Sequence, residues 1–204
     1  MIKSVIFDLG GVYFTDGTSK AVKNVSQKYN LNSQEVSDFF GTKNKWGRLY
    51  RQGKITSQKF WREFEKKFRI KANKDDLVKQ WILCYKPING TKTLIKRLRH
   101  KGLKTYFLSD NVKERSTLLQ KMYNYLDDFD LGIFSHKAGV TKRDGDKIFK
   151  LGLQLTGNKP KEVIFIDDKE DYVKTAKNLD INAIHFKNPK QLEKDINKII
   201  KSRK

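Results

Sequence analysis

The chain has 204 residues, which is enough for one folded core or for a core that carries a smaller inserted domain. Hydrophobic residues make up 37% and aromatic residues 12% of it, which excludes an intrinsically disordered chain. The formal net charge is +21, from 44 lysines and arginines against 23 aspartates and glutamates, and such an excess raises the question of a nucleic-acid partner.

Five short apolar runs predict buried β-strands. They cover residues 3–8, 103–110, 130–136, 162–168 and 181–186. Apolar residues recur at helical spacing between the later runs, and Asn188-Pro189 predicts the start of a last helix, because asparagine caps helices and proline suits the first helical position. Strands that alternate with helices predict an α/β fold with a doubly wound, Rossmann-like parallel sheet.

A long segment between the first and second predicted strands shows helical patterns only, which breaks the alternation of strands and helices. Phenylalanines spaced four residues apart indicate one buried helix face there: Phe60, Phe64 and Phe68. We therefore expect an all-helical cap domain inserted after the first strand. The expected boundaries are 16–87 for the cap domain, and 1–15 with 88–204 for the Rossmann-like core domain.

Polar side chains follow three of the predicted strands where each strand ends. They are Asp8, Ser109, Asp110, Asp167 and Asp168, and the loop after the third strand adds Lys142 and Arg143. The ligand site of an open α/β sheet lies outside the carboxyl ends of its strands. We therefore expect carboxylates, a hydroxyl group and a cation to converge at one edge of the sheet.

This set of groups suits phosphoryl transfer. Several carboxylates at one point repel each other unless a cation lies between them, and oxygen ligands with few imidazoles suit Mg²⁺. Asp8 would be a carboxylate nucleophile, while metal and lysine would neutralise charge in the transition state. Each residue alone also has a structural interpretation, such as a helix cap for Asp167-Asp168, but the joint pattern favours a site.

The motifs, taken in this order, resemble those of the haloacid dehalogenase-like (HAD) hydrolase superfamily over essentially the whole chain. VIFDLGGV is similar to the first motif, FLSD to the second, GVTKRDGDKIF to the third and VIFIDD to the fourth. The helical segment, with YRQGKITSQKFW, resembles the family's cap. The resemblance implies a Mg²⁺-dependent phosphatase that hydrolyses a small phosphorylated metabolite, such as a sugar phosphate, through an aspartyl-phosphate intermediate.

The resemblance also implies a role for each matching residue. Asp8 would be the nucleophile and Lys142 the catalytic cation, with Arg143 as the alternative, because the third motif has one residue too many before its Ile-Phe pair. The substrate would contact Gly11, Ser109, Asp110 and Asn111. The metal ligands would be Asp8, Asp167, Asp168 and the backbone carbonyl of Gly10.

Gly10 is a departure from the family pattern. The family's phosphatases usually carry a second aspartate there, although the same glycine recurs in one capped branch that includes phosphatases. Glycine cannot protonate a leaving group, a contribution worth roughly 10²–10⁴-fold in rate. We therefore expect a preference for good leaving groups, as in aryl, acyl or anomeric phosphates, with Asp16 as a less favoured substitute acid.

Two other functions remain open. A metal-independent haloacid dehalogenase also lacks the second aspartate, but it gives Asp167-Asp168 no role. A catalytically impaired protein that binds nucleic acid or protein would fit the net charge and KNKWGRLYRQGK, where basic and aromatic residues alternate. We favour a structural interpretation of that segment, in which Trp46 and Tyr50 pack inside the cap and the lysines are solvated. We likewise attribute the net charge to lysines that are spread along every predicted helix.

The remaining features concern location and assembly. No apolar stretch approaches the roughly 20 residues that span a bilayer, and the N-terminus has no signal-peptide pattern. The single cysteine, Cys84, cannot form an internal disulfide. We therefore expect a cytoplasmic protein with no membrane partner, as a monomer or a weak homodimer.

Overall fold

The computed structural model describes residues 1–202, in which five parallel strands form one sheet. The strands are β1 Ser4–Phe7, β2 Lys104–Ser109, β3 Leu131–Phe134, β4 Val163–Asp167 and β5 Asn182–His185. Their order is β3-β2-β1-β4-β5. The predicted α/β class is confirmed, and each of the five apolar runs contains one of these strands.

Residues 17–83 form five helices: α1 Gly17–Tyr29, α2 Ser33–Phe40, α3 Lys45–Arg51, α4 Ser57–Phe68 and α5 Lys74–Leu83. Aromatic rings fill their centre, where Phe40 contacts Trp61 and Trp81 with ring centroids 5.5 and 5.0 Å apart. One continuous cluster of buried apolar side chains joins these rings to Phe7 of the sheet, so the helical segment packs onto the strand layer. The two-domain division itself stays a prediction.

The remaining helices flank the sheet. They are α6 Asn89–His100, α7 Lys113–Tyr123, the short α8 Ser135–Ala138, α9 Lys147–Thr156, α10 Glu170–Lys177 and α11 Pro189–Ser202. Successive strand residues point to opposite faces. Phe7 therefore packs in the cluster that contains Ile196 of α11, whereas Ile6 packs with Phe149 of α9. Across residues 1–202, no helix has the length and apolar character needed to span a bilayer.

The strand order places β1 and β4 side by side at the point where the connections reverse direction. Phe7 is paired with Ile166, and the Asp8 N–H donates to the Ile166 carbonyl at 2.8 Å. Asp8 and Asp167 therefore emerge together from the carboxyl ends of adjacent strands. This crevice is where open α/β sheets bind their ligands.

Candidate active site

The ammonium group of Lys142 is buried between two carboxylates at the ends of β1 and β4. Its Nζ lies 2.7 Å from Asp8 Oδ1 and 2.5 Å from Asp167 Oδ2. Burial alone would lower the pKa of Lys142, but the carboxylates of Asp167 and Asp8 outweigh it and hold that pKa above its usual range. Arg143, the alternative from the sequence, is exposed and lies outside this cluster.

A tight turn fixes the position of Lys142. The backbone N–H and the hydroxyl group of Thr141 donate to Asp144 Oδ2 at 2.7 and 2.9 Å, which starts a single 3₁₀ turn over Lys142–Asp144. The backbone N–H of Lys142 donates to the Asp110 carboxylate, at 3.0 Å from Oδ1. Asp110, predicted as a substrate contact, therefore braces the lysine loop as well as lining the cavity described below.

Three carboxylates form a candidate cation site. Asp8, Asp167 and Asp168 each place one carboxylate oxygen within 4.8 Å of the others. Burial raises the pKa of all three, and that of Asp8 reaches about 6. Oδ1 of Asp168 is buried and has no hydrogen-bond partner among residues 1–202. An orphaned carboxylate oxygen beside two further carboxylates fits a hard divalent cation such as Mg²⁺.

Gly11 makes room for this acidic cluster. Its φ is +83°, a conformation that side chains rarely adopt, and a Cβ there would lie 2.5 Å from Asp168 Oδ2. Any larger residue at this position would both strain the backbone and displace the Asp168 carboxylate. The role of Gly11 in the structure is therefore to let the first loop pass close to Asp168.

The substitution Gly11→Ala is expected to weaken Mg²⁺ binding by about tenfold or more, because Gly11 leaves room for the ligand Asp168 and changing a residue that supports a ligand typically costs about 10–100-fold. Titration calorimetry with Mg²⁺ measures this change. Gly102→Ala is the matched control, since Gly102 has φ +81° but a Cβ there would have no neighbour within 4 Å. Both variants strain the backbone at a positive φ, but Gly11→Ala should lose more stability because only its Cβ also displaces Asp168. Equal Mg²⁺ affinities in the two would contradict the proposed site.

A cavity of about 270 Å³ lies over the strand ends, between the sheet and the helical segment. Its lining contains most of the predicted site residues: Asp8, Gly10, Ser109, Asp110, Asn111, Lys142 and Asp168. Asp167 is fully buried behind this surface, and its Oδ1 accepts the backbone N–H of Lys169 at 2.9 Å. The structure therefore brings predicted residues from the ends of β1, β2 and β4, and from the loop after β3, to one place.

Two predicted residues at the cavity are already engaged by the protein. Oδ1 of Asn111 accepts hydrogen bonds from the Val112 N–H and from Nε of Arg115. Asp16 is exposed and caps α1, with its carboxylate accepting the N–H and hydroxyl of Ser19. The substrate contact of Asn111 and the acid role of Asp16 stay predictions.

Sequence reasoning missed two arginines in the cavity wall, Arg51 and Arg115. Arg51 lies in the segment whose lysines we expected in solvent, and it is buried on α3 together with Gly47 and Tyr50. The i, i+3, i+4 spacing of these three residues was the available signal. Tyr50 is buried and stacks on Phe60, with centroids 4.6 Å apart, as the structural interpretation of this segment expects.

The comparisons with known proteins concern family and fold. Residues 2–180 match the haloacid dehalogenase-like hydrolase family. No curated protein matches the sequence. A HAD family enzyme from Bacteroides thetaiotaomicron, in complex with magnesium and inorganic phosphate, is similar at 22% identity, with 92% of this chain and 96% of that one covered and a TM-score of 0.74.

Two further solved structures share the fold. A predicted HAD-like family hydrolase from Porphyromonas gingivalis is 19% identical over 98% of both chains, with a TM-score of 0.78. L-2-haloacid dehalogenase from Xanthobacter autotrophicus, with chloropropionic acid covalently bound, is 18% identical over 90% of this chain and 76% of that one, with a TM-score of 0.64. The family match over residues 2–180 confirms the resemblance seen in the motifs, and this chain belongs to the haloacid dehalogenase-like hydrolases.

Proposed function

We propose that this protein is a Mg²⁺-dependent phosphatase that hydrolyses small phosphate monoesters through a phosphorylated Asp8. The observation that carries the proposal is the buried carboxylate cluster, in which Asp168 Oδ1 has no partner within the described residues and Lys142 is the ammonium group in contact with Asp8 and Asp167. The similar enzyme from Bacteroides thetaiotaomicron, in complex with magnesium and inorganic phosphate, supports the same chemistry here.

The residues of this chain have distinct tasks in the proposed reaction. A carboxylate oxygen of Asp8 attacks phosphorus, and the bond from phosphorus to the leaving-group oxygen breaks, which gives an acyl phosphate on Asp8. Water then attacks this phosphorus, which releases inorganic phosphate and restores the Asp8 carboxylate. With a pKa of about 6, Asp8 is largely ionised at neutral pH, as a nucleophile must be.

Charge stabilisation comes from the groups around Asp8. Lys142 holds the Asp8 carboxylate in place and offsets negative charge as phosphorus is attacked. Ser109, at the end of β2, would donate its hydroxyl group to a phosphate oxygen. Asp8, Asp168 and the carbonyl of Gly10 would hold Mg²⁺, with Asp167 in support, and the ion would supply positive charge to the phosphate oxygens.

The space beside Gly10 bears on the choice of substrate. A Cβ at Gly10 would meet no atom closer than Tyr85 Cε1 at 3.9 Å, so the position where related phosphatases carry an acid is open. No carboxyl group at this position can then give a proton to the departing oxygen. Substrates whose leaving groups depart without protonation should therefore react fastest.

We expect the second-order rate constant kcat/KM of the parent to fall steeply as the leaving group becomes more basic, from aryl to alkyl phosphates. Gly10→Asp should raise the rate for alkyl phosphates by as much as about 10²-fold, the lower range of general acid catalysis, and affect aryl phosphates less. Gly10→Ala is the control, because it fits the same space without adding an acid. A parent rate that does not depend on the leaving group would contradict this prediction.

Dehalogenation is the second candidate, favoured by Gly10 and by the similar fold of the Xanthobacter autotrophicus enzyme. In that reaction Asp8 would displace halide from carbon, which leaves the acidic cluster without a task. Halide release from 2-chloropropionate, measured in a chelator, separates the two reactions. Phosphate release from aryl phosphates without halide release supports the phosphatase, and halide release without phosphate release overturns it.

A further inference from the structure

Two arginines of the cavity wall are buried close to each other. Arg51 ends α3 in the helical segment, Arg115 lies in α7 beside the sheet, and their exposed fractions are 6% and 5%. Both guanidinium carbons lie over the ring of Trp81, at 5.7 and 5.0 Å from its centroid. Burial and the charge of Arg115 lower the pKa of Arg51 to about 10, so Arg51 remains a cation at neutral pH.

Neither guanidinium has an anionic partner within residues 1–202. Arg51 donates through Nη1 to the carbonyls of Phe40, at 2.5 Å, and Gly47, at 3.3 Å, which leaves Nε and Nη2 without an acceptor in the described part of the chain. Arg115 donates to the Asn111 amide oxygen, the Tyr85 hydroxyl and the Asp110 carbonyl. All of these acceptors are neutral.

The acidic residues of the cavity already have other partners. The Asp8 carboxylate pairs with Lys142, the Asp110 carboxylate accepts the Lys142 N–H, and the Asp16 carboxylate caps α1. Asp168 belongs to the candidate cation site. The charge of Asp110 also acts on Arg51, but it offsets only part of the cost of burying two like charges together. An anion that enters the cavity would offset more of that cost.

We propose that Arg51 and Arg115 bind a second anionic group of the substrate, a carboxylate or a second phosphate. This inference rests on the phosphatase proposed above and deepens it. The substrate class becomes phosphorylated acids or bisphosphates rather than sugar phosphates that carry no second anionic group. A guanidinium group presents paired N–H donors that match the oxygen atoms of either anion. The cavity of about 270 Å³ limits such a substrate to a small metabolite.

The test compares compounds that differ in the second anion. One pair is 3-phosphoglycerate and glycerol 3-phosphate, and the other is glucose 1,6-bisphosphate and glucose 1-phosphate. Calorimetry with Mg²⁺ measures their dissociation constants on Asp8→Asn, which cannot form the phosphoenzyme, and kcat/KM is measured on the parent. We expect the anionic member of at least one pair to bind about tenfold or more tightly, as charged hydrogen bonds predict. The pair that responds identifies the anion.

Matched variants separate this site from general attraction to a basic protein. Arg51→Met should abolish the preference, by raising the dissociation constant of the anionic member about tenfold. Arg51→Lys, which keeps the charge but loses the paired donors, should retain part of it. Arg62→Met is the control, because it removes the same charge from an exposed position on α4 and should leave the preference intact.

Two results would overturn the inference. One is equal binding of both members of both pairs, which needs no Arg51 variant and so does not depend on whether that variant folds. The other is an Arg51→Met variant that weakens both members of a pair equally. The two proposals can fail separately. A preference for the compound with the second anion, in a protein that releases no phosphate from any ester, would support the anion site and reject the phosphatase. Phosphate release without that preference would support the phosphatase and reject the anion site.

Discussion

Asp8→Asn is expected to lower phosphate release by at least about 10³-fold, because an amide lacks the negative charge with which Asp8 attacks phosphorus. The variant should remain folded, since burial disfavours the charge of Asp8 and Lys142 would keep its contact with Asp167. Initial rates with para-nitrophenyl phosphate and thermal unfolding together measure both expectations.

Asp16→Asn is the matched control for this substitution. Asp16 lines the same cavity, but it is exposed and caps α1, a task that asparagine performs equally well. Its phosphate release should stay within about threefold of the parent. If Asp16→Asn lost most of its phosphate release while Asp8→Asn stayed active, Asp8 would be rejected as the nucleophile. Asp16 would then be the candidate reacting group.

Lys142→Met is expected to destabilise the protein by about 3–5 kcal/mol, since removing one partner of a buried ion pair leaves the other charge uncompensated. Here two carboxylates, those of Asp8 and Asp167, would lose the same ammonium group. Chemical denaturation measures the free energy of unfolding. Added Mg²⁺ should stabilise this variant more than the parent, because the cation would replace part of the lost positive charge.

Arg143→Met provides the control for the third motif. Arg143 is exposed, so its replacement should change the free energy of unfolding by no more than about 0.5 kcal/mol. Phosphate release should fall strongly in Lys142→Met and stay near the parental value in Arg143→Met. The opposite pattern would assign the catalytic cation to Arg143.

The strand-end residues of the site could be predicted because the carboxyl ends of parallel strands lie at the same edge of a sheet. Once β1 and β4 are neighbours, the register that pairs Phe7 with Ile166 brings Asp8 and Asp167 together. Apolar runs with a terminal carboxylate are visible in the sequence, and their short length with flanking glycine and polar residues favours buried strands over helices.

The choice between Lys142 and Arg143 could not be made from the local pattern. It depends on the turn that Thr141 and Asp144 close, and on the Asp110 carboxylate that accepts the Lys142 N–H from 32 positions away. The resemblance to the third motif favoured Lys142, but the extra residue in that motif left the alternative open.

The cavity wall escaped prediction because it joins parts of the chain that are distant in sequence. Ser135 after β3 donates to the Arg51 carbonyl at 2.6 Å, and Gln52 donates to the Asp144 carboxylate at 2.6 Å. These contacts dock the end of α3 against the loops of the sheet. A charged residue is ordinarily assigned to solvent, so the helical spacing of Arg51 with Tyr50 could indicate a buried face only once this docking is known.

The most direct test of the account is the release of phosphate from para-nitrophenyl phosphate by the parent protein, first freed of metal with a chelator and then supplied with Mg²⁺. We predict release that is near background in the chelator and is restored by Mg²⁺. Release that persists in the chelator at an unchanged rate would contradict the proposed metal site. No release under either condition, with halide released from 2-chloropropionate, would contradict the phosphatase itself.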